Sequence, residues 1–177
     1  RNGDLAFFDA DNDGDPDLVI SGERNGNPFT ELYQNDGNGN FSARNQGFEP
    51  LQDGAIAALD VNADDLQDLL VLGRDANGIQ QAALYRNLGY GSFRRIPSGN
   101  LGQLFGYEHA SVDVADYDQD GLPDLVVCGL TGVNRQTRVL RNRDGSGAFD
   151  LAFAAPGVER GSVRWGDFDD DDRPEFA

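Results

Sequence analysis

The stretch Asp9-Ala10-Asp11-Asn12-Asp13-Gly14-Asp15-Pro16-Asp17 decides the fold of this chain, and residues 116–124 repeat its pattern. Two looser copies with the same spacing occupy residues 60–68 and 167–175. Oxygen-bearing side chains stand at positions 1, 3, 5 and 9 of every copy, and position 7 can offer its backbone carbonyl. Calcium prefers roughly six to eight oxygen ligands in irregular geometry, whereas zinc would need cysteine or histidine. Each copy therefore predicts a calcium-binding loop.

The predicted ligands are the residues at positions 1, 3, 5, 7 and 9 of the four loops. In loop order they are Asp9, Asp11, Asp13, Asp15 and Asp17; Asp60, Asn62, Asp64, Leu66 and Asp68; Asp116, Asp118, Asp120, Leu122 and Asp124; Asp167, Asp169, Asp171, Arg173 and Glu175. Position 6 makes a sharp turn that glycine tolerates best. Loops two and four carry Asp65 and Asp172 there, so we expect them to bind calcium more weakly than loops one and three.

The loops recur at a regular spacing. Their first residues lie at 9, 60, 116 and 167, so the pattern repeats every 51 to 56 residues. A second motif runs in phase with the loops, as Leu32-Tyr33-Gln34-Asn35 followed by a glycine-rich turn and Phe41. It returns at residues 84–93 and 139–149. A fixed period near fifty residues is typical of propellers and repeat arrays.

An EF-hand is the main alternative, because its loop begins in the same way. An EF-hand requires a bidentate glutamate at position 12 and a helix after the loop. Position 12 is Ile20, Val71 or Val127 in the first three loops, and short apolar runs ended by glycine follow them. Such runs are typical of buried strands. Each loop therefore joins two strands.

Four strands per repeat predict one propeller blade each. Strands are expected before each loop (5–8, 56–59, 112–115, 163–165), directly after it, before each glycine-rich turn (31–34, 82–86, 137–141), and from Phe41, Phe93 and Phe149 onward. The predicted fold is an all-β propeller of four-stranded antiparallel blades, with three complete blades and the start of a fourth. The single domain, 1–177, divides into repeats at about 3–53, 54–109, 110–161 and, truncated, 162–177. The remaining blades are expected from a longer chain or a second subunit.

On these motifs the chain resembles the FG-GAP/VCBS repeat family, whose repeats build integrin-like β-propellers. The matching features are the four aspartate loops, the apolar strand after each, and the Asn-x-Gly-x-Gly-x-Phe turn. The resemblance implies a calcium-stabilised, non-catalytic module for binding or adhesion that is extracellular, at the cell surface or periplasmic. A lectin-like carbohydrate-binding propeller and an accessory or catalytic propeller of a polysaccharide lyase remain alternatives.

Composition narrows the classes of partner. The formal net charge is −17, and a chain this acidic is a poor nucleic-acid binder. No apolar run is long enough to span a membrane. The single cysteine, Cys128, stands in an apolar run and is expected to be a buried small hydrophobic residue.

Partner recognition, of a protein or a carbohydrate, is predicted on the end of the blades opposite the calcium loops. We call the two ends the loop face and the opposite face. The residues predicted there differ between blades, as binding residues on a repeated scaffold do: Glu23, Arg24, Arg74, Asp75, Tyr107, Glu108, His109, Asn134, Arg135, Glu159 and Arg160.

Inner-strand positions raise two further predictions. Asp113 and Arg164 share a repeat position and are expected to form an ion pair, or else to line a central channel and bind a ligand there. Phe7 and Trp165 share another position and are expected to pack between blades.

Overall fold

The structure is a computed structural model that describes residues 3–158, 160–169 and 173–176. Its described part is almost entirely β-sheet, with one short 3-10 helix at Ser98–Asn100. Three four-stranded antiparallel sheets follow one another along the chain, each in the order of its strands, and a two-stranded sheet follows them. No helix among the described residues is long and apolar enough to cross a membrane. The all-β propeller prediction is confirmed.

Each sheet is one blade. Blade one contains β1 (Asp4–Phe8), β2 (Asp17–Arg24), β3 (Asn27–Asn35) and β4 (Phe41–Arg44). Blade two contains β5 (Ile56–Leu59), β6 (Asp68–Arg74), β7 (Gln80–Asn87) and β8 (Phe93–Arg95). Blade three contains β9 (Glu108–Ala115), β10 (Asp124–Thr131), β11 (Asn134–Asn142) and β12 (Phe149–Pro156). The partial fourth blade pairs β13 (Trp165–Gly166) with β14 (Glu175–Phe176), so the strand predicted at 163–165 is shorter and begins later.

The second strand of each blade shows why apolar runs follow the loops. In blade two, Leu69, Leu70 and Val71 are all wholly buried, because neighbouring blades cover both faces of β6. In blade one, Leu18 and Ile20 at the equivalent positions are partly exposed, because one face of β2 is uncovered here. The continuous apolar pattern is therefore a consequence of stacking blades face to face.

Apolar side chains fill the spaces between blades. Blades two and three share a core in which Leu70 and Leu72 contact the side of β10 that carries Leu125 and Val127. A second core joins blades one and two, where the rings of Phe48 and Tyr85 lie 4.7 Å apart. Cys128 is buried in the core next to the fourth blade, as predicted.

The inner strands surround a central cleft of about 780 Å³. Asp113 and Arg164 both line it, but the predicted ion pair between them is wrong. Asp113 Oδ2 accepts a hydrogen bond from the Trp165 amide at 2.8 Å, and Arg164 Nη1 donates to the Val163 carbonyl at 2.8 Å. The Asp113 bond holds the fourth inner strand against the third, whereas the Arg164 bond lies within its own segment.

The aromatic residues at the shared inner-strand position have different surroundings. Trp165 stacks on Tyr117 with ring centres 5.7 Å apart and packs edge-on against Phe176, so it lies between blades as predicted. Phe7 is 58% exposed, which corrects the prediction for blade one. The reason is that Phe7 faces the uncovered side of the first blade.

Candidate metal centres

In loop one, backbone amides donate hydrogen bonds to the carboxylate of the first residue, so the chain turns around that side chain. Asp9 accepts from the amide of Asp13 at 3.1 Å through Oδ1 and from that of Gly14 at 2.9 Å through Oδ2. Asp13 Oδ1 in turn accepts from the Asp15 amide at 3.0 Å. Gly14 has a φ of 92°, a conformation that side chains other than glycine rarely adopt. The sequence thus closes a tight turn with its carboxylates gathered on one side.

Loops two and three repeat this winding. Asp60 accepts from the amides of Asp64 and Asp65 at 3.0 and 2.7 Å. Asp116 accepts from the amides at positions 5 and 6 of its loop at 3.0 and 2.8 Å. Asp65 reaches the left-handed conformation with a φ of 66°, which aspartate visits more readily than most residues. Loop two therefore keeps the backbone path without glycine.

The aspartate at position 9 is buried in each complete blade: Asp17, Asp68 and Asp124 have no exposed surface. Asp17 Oδ2 accepts from the Ala10 amide at 2.9 Å, and its Oδ1 accepts from the Asn35 amide at 2.8 Å. Burial raises the pKa of Asp68 and that of Asp124 to about 6, although the hydrogen bonds that they accept from backbone amides lower it. A cation next to these carboxylates would offset the cost of burying their charge.

Carboxylate oxygens converge in three of the four loops. One oxygen from each member lies within 4.8 Å of the others in three groups: Asp9, Asp11 and Asp13; Asp116, Asp118 and Asp124; Asp167, Asp169 and Glu175. Loop two, which has Asn62 at position 3, forms no such carboxylate group among the residues that the structure describes. Asp171 lies outside the described residues.

The other predicted ligands take part in the loops in different ways. Asp120 Oδ1 accepts from the Leu122 amide at 3.0 Å, and Asp64 Oδ1 accepts from the Leu66 amide at 3.1 Å, which sets the direction of the peptide at position 7. Arg173, at position 7 of loop four, has an exposed side chain. These contacts leave the backbone carbonyls at position 7 as predicted ligands.

The residues at position 3 indicate that the loops fit a cation. Asp11 Oδ1 and Asn62 Oδ1 are buried oxygen atoms without a hydrogen-bond partner. The pKa of Asp11 is raised by burial and by repulsion from Asp17, Asp13 and Asp9. Buried acceptors normally find a partner, and a calcium ion accepts oxygen ligands of this kind. The donor set is therefore suited to calcium.

Loops one and two are also hydrogen-bonded to the next blade, a role that the sequence motif did not reveal. Asn87 Nδ2 donates to the carbonyl of Ala10 in loop one at 2.9 Å. Asn142 Nδ2 donates to the carbonyl of Val61 in loop two at 2.7 Å. Both asparagines end the third strand of their blade, and their own amides bond the buried aspartate at position 9. The in-phase recurrence of this asparagine was the signal available in the sequence.

On the opposite face, polar side chains bond one another. Arg74 Nε lies 2.6 Å from Asp53 Oδ2 and 3.3 Å from Glu108 Oε2, and Arg160 Nη2 lies 3.2 Å from His109 Nε2. Tyr107 is wholly buried, so its predicted place on a recognition surface is wrong. It packs in the core between blades two and three instead. Glu159 lies outside the described residues.

Comparison with known proteins identifies the repeats. The sequence profile of the FG-GAP-like repeat matches residues 9–71 and 60–127. No curated protein matches the chain. Among solved structures, the chain is similar to a lectin from Agrocybe aegerita that was described for specific recognition of non-reducing terminal N-acetylglucosamine. The TM-score is 0.55 at 20% identity, over 87% of this chain and 39% of the lectin chain, so the likeness lies in the fold.

Proposed function

The chain belongs to the FG-GAP-like repeat family, and from this premise we propose that it is a calcium-stabilised propeller segment that serves as a binding module. One observation carries the calcium assignment. Asp11 Oδ1 is buried without a partner in loop one, which already gathers three carboxylates, and Asn62 Oδ1 is buried without a partner at the same position of loop two. A bound cation would satisfy these atoms and lower the repulsion among the neighbouring aspartates.

In this proposal some loop residues hold the backbone in place and others bind the ion. Asp9 holds the backbone turn, while the side chains at positions 3 and 5 and the carbonyl at position 7 face the ion. Asp17 fixes the far end of the loop through the hydrogen bonds that it accepts from two backbone amides, and its carboxylate can still offer a lone pair to the ion. Calcium supplies positive charge, and binding to the folded state alone stabilises it by about 2.7 kcal/mol when the free ion stands at roughly 100 times its dissociation constant.

The proposed location is extracellular, at the cell surface or periplasmic. Calcium sites in extracellular modules have dissociation constants of about 10⁻⁴–10⁻³ M. Loops this exposed would be filled where calcium reaches that range.

We favour a binding role over catalysis, and a carbohydrate over a protein as ligand. His109 lies near the start of β9 and Asp116 directly follows its end, so the two are seven residues apart, or roughly 23 Å at about 3.3 Å per residue. This separation keeps His109 from acting as a base beside the predicted calcium site of its own blade. Tyr90 is 95% exposed at the edge of a polar cleft, and this feature favours a carbohydrate, the ligand class of the Agrocybe aegerita lectin.

Calcium titration of the chelator-treated chain tests the metal assignment. Calorimetry is expected to show saturable binding, and the melting temperature is expected to rise with calcium and fall again with chelator. Magnesium at the same concentration serves as the matched control, because it keeps more of its water and prefers fewer protein ligands. Equal melting curves with calcium and with chelator would refute the proposal.

A further inference from the structure

A polar cleft of about 290 Å³ opens on the loop face between blades one and two. Blade one contributes Asp11, Gln34, Arg44 and Gln46 to its lining, and the hairpin between β7 and β8 of blade two contributes Tyr90. Ligand pockets commonly measure about 300–1,000 Å³, so this cleft has room for one small ring. It lies beside loop one, because Asp11 belongs to both.

Tyr90 stands at the tip of that hairpin as an exposed aromatic side chain. It is 95% exposed and has a φ of 54°, between Gly89 and Gly91, which both have positive φ. An aromatic ring with no apolar cover is available to stack against a ligand. The C–H groups on one face of a pyranose pack well on such a ring.

Hydrogen bonds hold the polar side chains of the cleft in place. Arg44 Nε donates to Gln34 Oε1 at 2.6 Å, and Gln34 Nε2 donates to Asp11 Oδ2. Gln46 Nε2 donates to the carbonyl of Gly91 at 2.7 Å. Side chains already fixed in this way lose little freedom when a ligand binds. Their remaining donors and acceptors suit a ligand rich in hydroxyl groups.

The equivalent groove between blades two and three is filled by larger or apolar side chains. Arg86 takes the place of Gln34 there and donates from Nη2 to the carbonyl of Gly145 at 2.7 Å. Ile96 takes the place of Arg44 and lies under the hairpin of blade three. That hairpin carries a serine in place of the tyrosine. The open cleft is therefore specific to the first groove.

We propose that this cleft binds a neutral pyranose ring, stacked on Tyr90 and hydrogen-bonded through its hydroxyls to Gln34, Gln46 and Asp11. Arg44 and Asp11 carry opposite charges, which favours a neutral ligand over an acidic sugar. The inference rests on the proposed binding function and adds the site of the carbohydrate and the kind of sugar that fits it. It places recognition on the loop face, not on the opposite face that loop variation predicts.

Saturation-transfer NMR on the full chain in calcium tests this site. The probe is a mixture of the methyl glycosides of glucose, galactose, mannose and N-acetylglucosamine. We expect transfer to at least one of them. Tyr90→Ser and Gln34→Arg introduce the residues of the filled groove, and each should weaken binding at least about fivefold, or about 1 kcal/mol. Asn38→Ser, at the hairpin tip of blade one, is the matched control and should keep the signal.

Two results would overturn the proposal. One is transfer that is absent from the wild type or unchanged by Tyr90→Ser. The other is transfer that His109→Ala removes while Tyr90→Ser keeps it, since this places the sugar on the opposite face. Melting curves with and without calcium, recorded on the same samples, verify folding of each variant. They also separate a failure of the cleft from a failure of the calcium assignment.

Discussion

Replacing Asn87 with alanine should separate blade two from the loop of blade one. The Asn87 side chain is 1% exposed and makes three hydrogen bonds. Its Nδ2 donates to the carbonyls of Ala10 at 2.9 Å and Gln67 at 3.1 Å, and its Oδ1 accepts from the Gly89 amide at 2.9 Å. Only the bond to Ala10 crosses between blades.

Asn35 provides the matched control, because it holds the same position in blade one. Its Nδ2 donates to the Pro16 carbonyl at 3.1 Å, and its Oδ1 accepts from the Gly37 amide at 3.2 Å, both within its own blade. A net hydrogen bond is worth about 0.5–1.5 kcal/mol, and an acceptor left buried without a partner costs about 1–3 kcal/mol. Asn87→Ala should therefore lower the free energy of unfolding by about 2–5 kcal/mol, and Asn35→Ala by about 1–2 kcal/mol.

Urea unfolding in saturating calcium measures both changes. The midpoint should fall much further for Asn87→Ala than for Asn35→Ala, with Asn142→Ala close to the former because it bonds the Val61 carbonyl in the same way. A similar slope of the transition in all variants would show that the same surface unfolds. Equal losses for Asn35→Ala and Asn87→Ala would refute the idea that the bond between blades carries the difference.

Two further predictions concern the metal loops. In chelator, the melting temperature should rise as the pH falls from about 7 to about 5, because the folded-state pKa values of Asp68 and Asp124, about 6, exceed the unfolded value of about 3.9. Burying the two charged carboxylates lowers the free energy of unfolding above pH 6, and protonation removes this loss, which is at most about 3 kcal/mol per group. Bound calcium should make the melting temperature depend less on pH. A melting temperature in chelator that falls between pH 7 and pH 5 would contradict the prediction. Asp116→Ala should also reduce calcium affinity more than Asp60→Ala, because loop three gathers three carboxylates and loop two does not. Titration calorimetry measures both affinities, and an equal loss in the two variants would contradict this ranking.

Most of the fold could be predicted from the sequence, because the strands of each blade pair with strands that are close along the chain. A loop at residues 9–17, the apolar run after it and the glycine-rich turn define three neighbouring strands without distant information. The same local pattern brought the carboxylates of loops one, three and four together. Loop two was ranked lower for Asp65, yet Asp65 adopts the required turn. The clearer difference is the amide of Asn62 at position 3.

Contacts between blades were much harder to predict. Tyr107 stands in a polar connection and reads as a surface residue, but packing between blades two and three buries it. Tyr90 occupies the variable position of a repeated turn, and the cleft beside it depends on Gln34 and Arg44 from the previous repeat. Local patterns carry no information on which side chains of two repeats come to face each other.

One chain of hydrogen bonds explains why the two motifs stay in phase. The buried aspartate of a blade accepts from the position-2 amide of its loop, and the carbonyl of that same residue accepts from the asparagine of the next blade. That asparagine then bonds its own buried aspartate, so the chain runs through Asp17, Ala10, Asn87, Asp68, Val61, Asn142 and Asp124. A shift of either motif within one repeat would leave buried polar groups unpaired at the contacts with both neighbouring blades. The residues lining the first groove, Gln34 and Tyr90, lie outside this chain, and their counterparts Arg86 and Ser146 differ without disturbing it. The residues that line this groove can therefore vary beside the aspartate loops while the hydrogen bonds between blades stay the same.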